Sequence, residues 1–313
     1  MSVALFTLGG TIAMAGHASS APGAPVVARL TGADLTAAVP GLDELEVPLD
    51  VRDIEAVPSA GLTFAQITAL VEAASRAVRE GARGVVVTQG TDTLEETAFL
   101  ADLLWPHPEP FVLTGAMRNP TLAGPDGPAN LLAAARTAAA PQARELGALV
   151  AFNDELHAAR WVRKTHSTST ATFASPNTGP LGQVIEGQVR VLTTPPRRPT
   201  PAAPAEGAFD DSRVALYTVA LDDDGLLLRD VPRYHHGLVV AGFGAGHVPP
   251  ALAPGLGDLA ERLPVVLSSR TGGGSVLRHT YGAVGSETDL MRRGLINAGL
   301  LDPYKARVLL RLL

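Results

Sequence analysis

The chain has 313 residues, of which 46% are hydrophobic and 18% charged, and its net charge is −6. It is too apolar for a disordered chain, long enough for one large or two medium domains, and too acidic for nucleic acid or an anionic membrane as a partner. The absence of cysteine excludes disulfides, thiolate metal sites and a cysteine nucleophile, and no apolar run is long enough to span a bilayer.

Short apolar runs alternate with helix-period stretches, which predicts an α/β fold with a mostly parallel sheet. Residues 3–8 read as a buried strand, reached without a basic segment or long apolar stretch before it, so a cytoplasmic protein is expected. In 63–80, Phe64, Ile67, Leu70, Val71 and Ala74 recur at three- and four-residue spacing, the period of an amphipathic helix. Further strands are expected at 84–88, 111–114 and 147–152, and helices at 93–104 and 129–139. Pro195, Pro196, Pro199, Pro201 and Pro204 then block regular structure, so 193–211 reads as an extended linker. Beyond it, strands are expected at 213–219, 237–241 and 264–268. Asp302-Pro303 opens a last helix as an N-cap followed by a first-turn proline. The expected organisation is a larger N-terminal α/β domain over 1–192, the linker, and a smaller C-terminal α/β domain over 212–313.

Two turns at strand ends carry residues able to do chemistry. Thr7-Leu8-Gly9-Gly10-Thr11-Ile12-Ala13 follows the first strand; paired glycines permit a sharp turn and present Thr11 at the sheet's carboxyl edge. The same residues also suit an ordinary strand-to-loop turn. Val87-Thr88-Gln89-Gly90-Thr91-Asp92-Thr93-Leu94-Glu95-Glu96 follows another strand. Within it Thr93 and Glu96 have the spacing of a capping box, which leaves Gly90, Thr91 and Asp92 unexplained. A carboxylate there suits an ammonium group, and a hydroxyl suits a water or a nucleophile.

These two turns together resemble the bacterial-type L-asparaginase/glutaminase family. Gly115-Ala116-Met117-Arg118, Asp126-Gly127-Pro128-Ala129-Asn130-Leu131, Ser268-Ser269-Arg270 and Lys305-Ala306-Arg307-Val308-Leu309-Leu310 resemble its later motifs in the same order. The resemblance spans nearly the whole chain. It implies an amidohydrolase working through a covalent acyl-enzyme, in which a weak hydroxyl nucleophile is activated by a neighbour and backbone N–H groups hold the oxyanion. On this pattern Thr11 is the nucleophile, with Thr91, Asp92 and Lys164 beside it. Lys164 stands in Trp161-Val162-Arg163-Lys164-Thr165; read alone it is a solvated surface lysine. Ser59 matches the serine that binds the substrate carboxylate, and Asp92 with Glu287 would hold the ammonium. Gly10, Gly90, Ala116 and His247 complete the expected substrate-binding set. Glu287 would come from a neighbouring subunit, implying an amino-acid substrate bound at the interfaces of a dimer of intimate dimers. No cofactor or metal is implied.

The chain departs from the family pattern at three points. The lid expected at 14–30 lacks the family's tyrosine; the first tyrosine is Tyr217, and His17 is the lid's one side chain suited to acid–base work near neutrality. Ala60 stands where glutamine is frequent, and His247 where asparagine is common. These changes bear on asparagine-versus-glutamine preference more than on reaction class, and the missing tyrosine keeps a non-catalytic asparagine- or aspartate-binding protein as the alternative. Gly242-Phe243-Gly244-Ala245-Gly246 lacks the G-x-G-x-x-G spacing of a dinucleotide site, and adjacent His235-His236 suggest surface histidines rather than a metal pair.

Overall fold

The computed structural model describes residues 2–15, 27–28, 31–54, 57–197, 200–201, 207–209 and 211–313. The chain divides into two compact units, Met1–Ala202 and Ala203–Leu313.

In the first unit the elements are β1 (Val3–Thr7), β2 (Met14–Ala15), β3 (Val27–Ala28), α1 (Gly32–Ala37), β4 (Leu49–Asp53), α2 (Phe64–Arg79), β5 (Gly84–Thr88), α3 (Leu94–Leu104), β6 (Phe111–Thr114), α4 (Gly127–Ala139), β7 (Ala148–Phe152), β8 (Glu155–Ala158), β9 (Arg163–Lys164), β10 (Phe173–Ala174), β11 (Gly182–Ile185) and β12 (Gln188–Val191). The main sheet runs β12-β11-β8-β7-β6-β5-β1-β4. It is parallel from β4 to β7 and antiparallel from β7 to β12. Every residue of β1, β5, β6 and β7 is buried, as parallel strands covered on both faces must be. Helix α2 bears out the predicted periodicity: Ile67, Leu70, Val71 and Ala74 are buried, and Thr63 with Gln66 forms a capping box.

The antiparallel half was not visible in the sequence pattern. Its hairpins turn on two residues each, Asn153-Asp154 between β7 and β8 and Glu186-Gly187 between β11 and β12, all four at positive φ. Only the last pair contains glycine. At the unit's end Arg197 donates to the carbonyls of Trp105 at 2.6 Å and His107 at 2.8 Å, fastening the proline-rich segment to the end of α3.

The second unit holds β13 (Val214–Thr218), α5 (Val231–Tyr234), β14 (Gly237–Gly242), α6 (Ala253–Ala260), β15 (Val265–Ser269), α7 (Glu287–Arg292), β16 (Ile296–Asn297) and α8 (Pro303–Leu312). Its four-stranded sheet, β13-β14-β15-β16, is wholly parallel. Leu238, Val240, Leu252, Leu256, Leu267 and Leu290 lie in its core, and Asp302 caps α8 by accepting from the Lys305 amide. The architecture is the expected one: a large N-terminal sheet unit and a smaller C-terminal α/β unit.

Candidate active site

Strand order locates the site. After β1 the chain places β4 on one side of it, then crosses to place β5, β6 and β7 on the other. The carboxyl ends of β1 and β5 therefore flank a switch point, where open α/β sheets leave a crevice. Both threonine turns emerge there.

Glycine lets these turns meet. Gly9 and Gly10 have φ of 78° and 89°, and a Cβ on Gly10 would stand 2.3 Å from the Gly90 nitrogen. Thr11 then opens a short 3₁₀ turn, half-buried, while Ile12 and Ala13 go into the core. On its other side a Cβ on Gly90 would lie 2.6 Å from Ser59 Oγ. Gly10, Gly90 and Ser59 thus form one close-packed row, with Ser59 almost fully buried.

Thr91 and Asp92 meet Lys164 across 73 and 72 residues of chain. The Lys164 ammonium donates to Thr91 Oγ1 and to Asp92 Oδ1, both at 2.9 Å. An ammonium has only donors, so the Thr91 oxygen accepts and its own proton stays free for another partner. Thr91 is buried, the Lys164 side chain is 16% exposed and the Asp92 carboxylate 70% exposed, so one end of this chain of contacts is dry and the other faces water. The surface-lysine reading of Lys164 is therefore corrected: most of its side chain is covered.

The expected capping box at Thr93 is absent. Thr93 makes no side-chain cap bond to α3. Its hydroxyl donates instead to the Ser59 carbonyl at 2.9 Å and accepts from Gln89 Nε2 at 3.2 Å. A residue with capping spacing has been drawn into fixing the Ser59 turn against the Thr91 turn.

Supporting residues outside the expected set are Gln89, Glu95, Asp126 and Asn130. Buried Glu95 accepts from the Lys164 backbone N–H at 3.1 Å. Asp126 accepts from the Met117 and Arg118 amides, and Asn130 donates to both the Gly115 carbonyl and Asp126, holding the turn after β6. A Cβ on Gly115 would stand 2.5 Å from the Gln89 carbonyl oxygen, so that turn presses on the Thr91 turn, with Ala116 buried beneath. The signal for Glu95 was present: in the first turn of α3 it lies on the helix's buried side, where an acid needs a partner.

His247 and Glu287 belong to the second unit. The glycine run after β14 closes a tight turn, Phe243 and His247 bonding each other's backbone, and this presents the His247 ring. His247 Nε2 lies 3.3 Å from Glu287 Oε2, while the other Glu287 oxygen accepts from the amides of Thr280 at 3.0 Å and Tyr281 at 2.9 Å. Burial pushes the Glu287 carboxyl up, but the Tyr281, Thr280 and Glu287 amides and His247 outweigh it and hold it below the ordinary range. Tyr281 meets the His247 ring edge-on at 4.8 Å.

Of the expected lid, Met14–Ala15 pairs antiparallel with Val27–Ala28. His17 and the rest of 16–26 and 29–30 lie outside the described residues. Among the described residues no group of His, Asp and Glu is placed to hold a metal ion.

The arrangement offers hydroxyl, ammonium and carboxylate groups in one crevice. The family model for the asparaginase N-terminal domain matches residues 2–197, and that for the glutaminase/asparaginase C-terminal domain matches residues 213–313. A Deinococcus radiodurans protein described as a probable L-asparaginase is 36% identical over 280 residues, covering 88% of this chain and 84% of that protein. An L-asparaginase of Bacillus licheniformis is 33% identical over 321 residues, covering 99% and 94%. The crystal structure of a probable cytoplasmic L-asparaginase from Campylobacter jejuni matches with a TM-score of 0.86 at 32% identity, covering 99% of this chain and 94% of that one. With both halves matched and the glycine–threonine turns packed at one switch point, the chain belongs to the bacterial-type L-asparaginase/glutaminase family.

Proposed function

We propose that the chain hydrolyses the side-chain amide of L-asparagine to L-aspartate and ammonia, with L-glutamine a minor substrate. The observation that carries this reading is the hydrogen-bonded Thr91–Lys164–Asp92 set beside the Thr11 turn, in a chain whose relatives are described as L-asparaginases.

In this reading the Thr11 hydroxyl attacks the amide carbon. Its proton passes to the leaving nitrogen, which departs as ammonia, and the aspartyl group remains as an ester on Thr11. Water then attacks the ester, releases aspartate and returns the proton to Thr11. The Thr91–Lys164 pair serves proton movement in the first step, the second or both, and backbone N–H groups of the two turns hold the oxyanion. Ser59 binds the substrate's α-carboxylate, Asp92 and Glu287 its ammonium, and Gly10, Gly90, Ala116 and His247 line the site. The reaction balances with water alone.

We read the assembly as a dimer of intimate dimers, Glu287 and the His247 that touches it in the same chain being contributed together by a neighbouring copy, and the compartment as the cytoplasm. The description of the Campylobacter jejuni relative supports the latter. Among the described residues no helix is long and apolar enough to cross a membrane.

The test is ammonia release from L-asparagine, L-glutamine and D-asparagine by wild type and Thr11→Ala, with sedimentation for the assembly. Turnover of L-asparagine lost in the variant supports the reading. Retained turnover in Thr11→Ala removes Thr11 as nucleophile. No wild-type turnover, with asparagine still raising the melting temperature, favours the binding-protein alternative, to which the tyrosine-free segment 14–30 points.

A further inference from the structure

Lys164 sits on an element that cannot hold itself. Strand β9 has two residues and, among the described residues, pairs only with two-residue β10, Lys164 opposite Phe173 and Arg163 opposite Ala174. The ribbon is not hydrogen-bonded into the main sheet, and a two-stranded ribbon of that length is not stable alone. The Lys164 ammonium must nevertheless stay within 2.9 Å of Thr91 Oγ1.

The β9 side is tied by Glu95, through the Lys164 amide. The β10 side is tied by packing of Phe173 on Phe152, ring centres 4.8 Å apart, and by one buried polar bond. Ser175 follows β10 directly, and its hydroxyl lies 3.0 Å from His157 Nδ1. His157 lies on β8, in register with Val150 of β7, so it belongs to the main sheet. It is wholly buried and Ser175 is 5% exposed. Glu155 Oε2 stands 3.3 Å from His157 Nε2, off the line of a hydrogen bond. A carboxylate there favours the tautomer with its proton on Nε2, leaving Nδ1 to accept from the serine. The order serine, histidine, carboxylate is that of a nucleophile relay, but no substrate carbonyl reaches a hydroxyl this buried. Its reach is structural, through β10 to Lys164.

We propose that His157, through Ser175, is a positioning residue for Lys164, fixing the β9–β10 ribbon to the main sheet so that the ammonium is held on Thr91. The proposal assigns His157 and Ser175 a part in the proposed hydrolysis and to that extent rests on that reading.

The sequence supplies a readout that does not depend on turnover. It contains two lysines, Lys164 and the fully buried Lys305. Full-length protein labelled with ¹³C at lysine Cε therefore gives two signals, Lys305 serving as internal reference. Ser175→Ala and His157→Leu are expected to move or broaden the Lys164 signal while leaving that of Lys305 in place. They should lower kcat on L-asparagine about tenfold with KM changed less than twofold. His157→Asn, whose Oδ1 can accept where Nδ1 did, is expected to restore most of both. An unmoved Lys164 signal in a folded Ser175→Ala protein overturns the proposal, as does a moved signal that His157→Asn fails to restore. If wild type releases no ammonia, the hydrolytic reading fails while the lysine signals still decide the positioning role.

Discussion

A Cβ on Gly10 would stand 2.3 Å from the backbone nitrogen of Gly90, closer than any real Cβ approaches. The two threonine turns are therefore in backbone contact, and the neighbour that would have to yield is main chain rather than a flexible side chain. Gly10→Ala adds the cost of φ at +89°, about 1–3 kcal/mol for a residue held in a sparsely populated region. The expected outcome is a folded protein with a lower melting temperature and at least a hundredfold loss of ammonia release. Near-normal kcat in Gly10→Ala would mean that this contact does not set the geometry of Thr11.

Lys164 donates to Thr91 and Asp92 from a largely covered position. Lys164→Met keeps the apolar stem and removes the charge and the proton, so kcat should fall by about 10²–10⁴, the usual worth of a positioned proton-transfer group. Lys164→Arg should not rescue it, because a guanidinium does not release its proton in this pH range. Full activity in Lys164→Arg would limit Lys164 to a purely electrostatic role.

Glu95 anchors the Lys164 backbone from the first turn of α3. Loss of a hydrogen bond to a charged acceptor costs about 1.5–3 kcal/mol, so Glu95→Ala should lower both the unfolding free energy and kcat. Glu95→Gln retains an acceptor oxygen and is expected to lie between wild type and Glu95→Ala in both. Urea unfolding beside steady-state kinetics measures the two.

Burial pushes His157 down to about 4 from an ordinary 6.5. Between those values the unfolded chain binds a proton that the folded chain excludes, so stability is fully present above pH 6.5 and is lost as pH falls toward 4. The shift corresponds to an upper limit of about 3 kcal/mol. Unfolding midpoints measured from pH 4 to 7 should therefore rise with pH in wild type and rise less steeply in His157→Asn. Equal slopes would show that His157 does not contribute to acid sensitivity.

The parallel strands β1, β5, β6 and β7 were legible because burial on both faces leaves near-continuous apolar runs, as in Val3-Ala4-Leu5-Phe6 and Gly84-Val85-Val86-Val87, whereas the parallel edge strand β4, only partly buried, was not. Predicted and observed ends differ by one residue at β1 and β7, where Leu8 still bonds Thr88 across the strands and Gly147 takes positive φ, and by one residue again at β13, β14 and β15. The antiparallel strands β8, β11 and β12 were not legible, being four residues each with turns on Asn153-Asp154 and Glu186-Gly187. Thr93 shows the limit of local rules: its spacing fits a cap, yet its hydroxyl goes to Ser59, 34 residues away in sequence. Nothing local distinguishes the two uses.

By itself the sequence determined the α/β class, the family, and the turns that hold Thr11, Thr91 and Asp92, because glycine pairs, apolar period and motif order are local properties. Only the tertiary structure decided that Gly10 and Gly90 touch, that Lys164 lies on Thr91, and that Glu95, Ser175 and His157 fasten the ribbon carrying Lys164. Those relations depend on which strands lie side by side. That is set by burying all apolar faces at once, and no short stretch of chain encodes it.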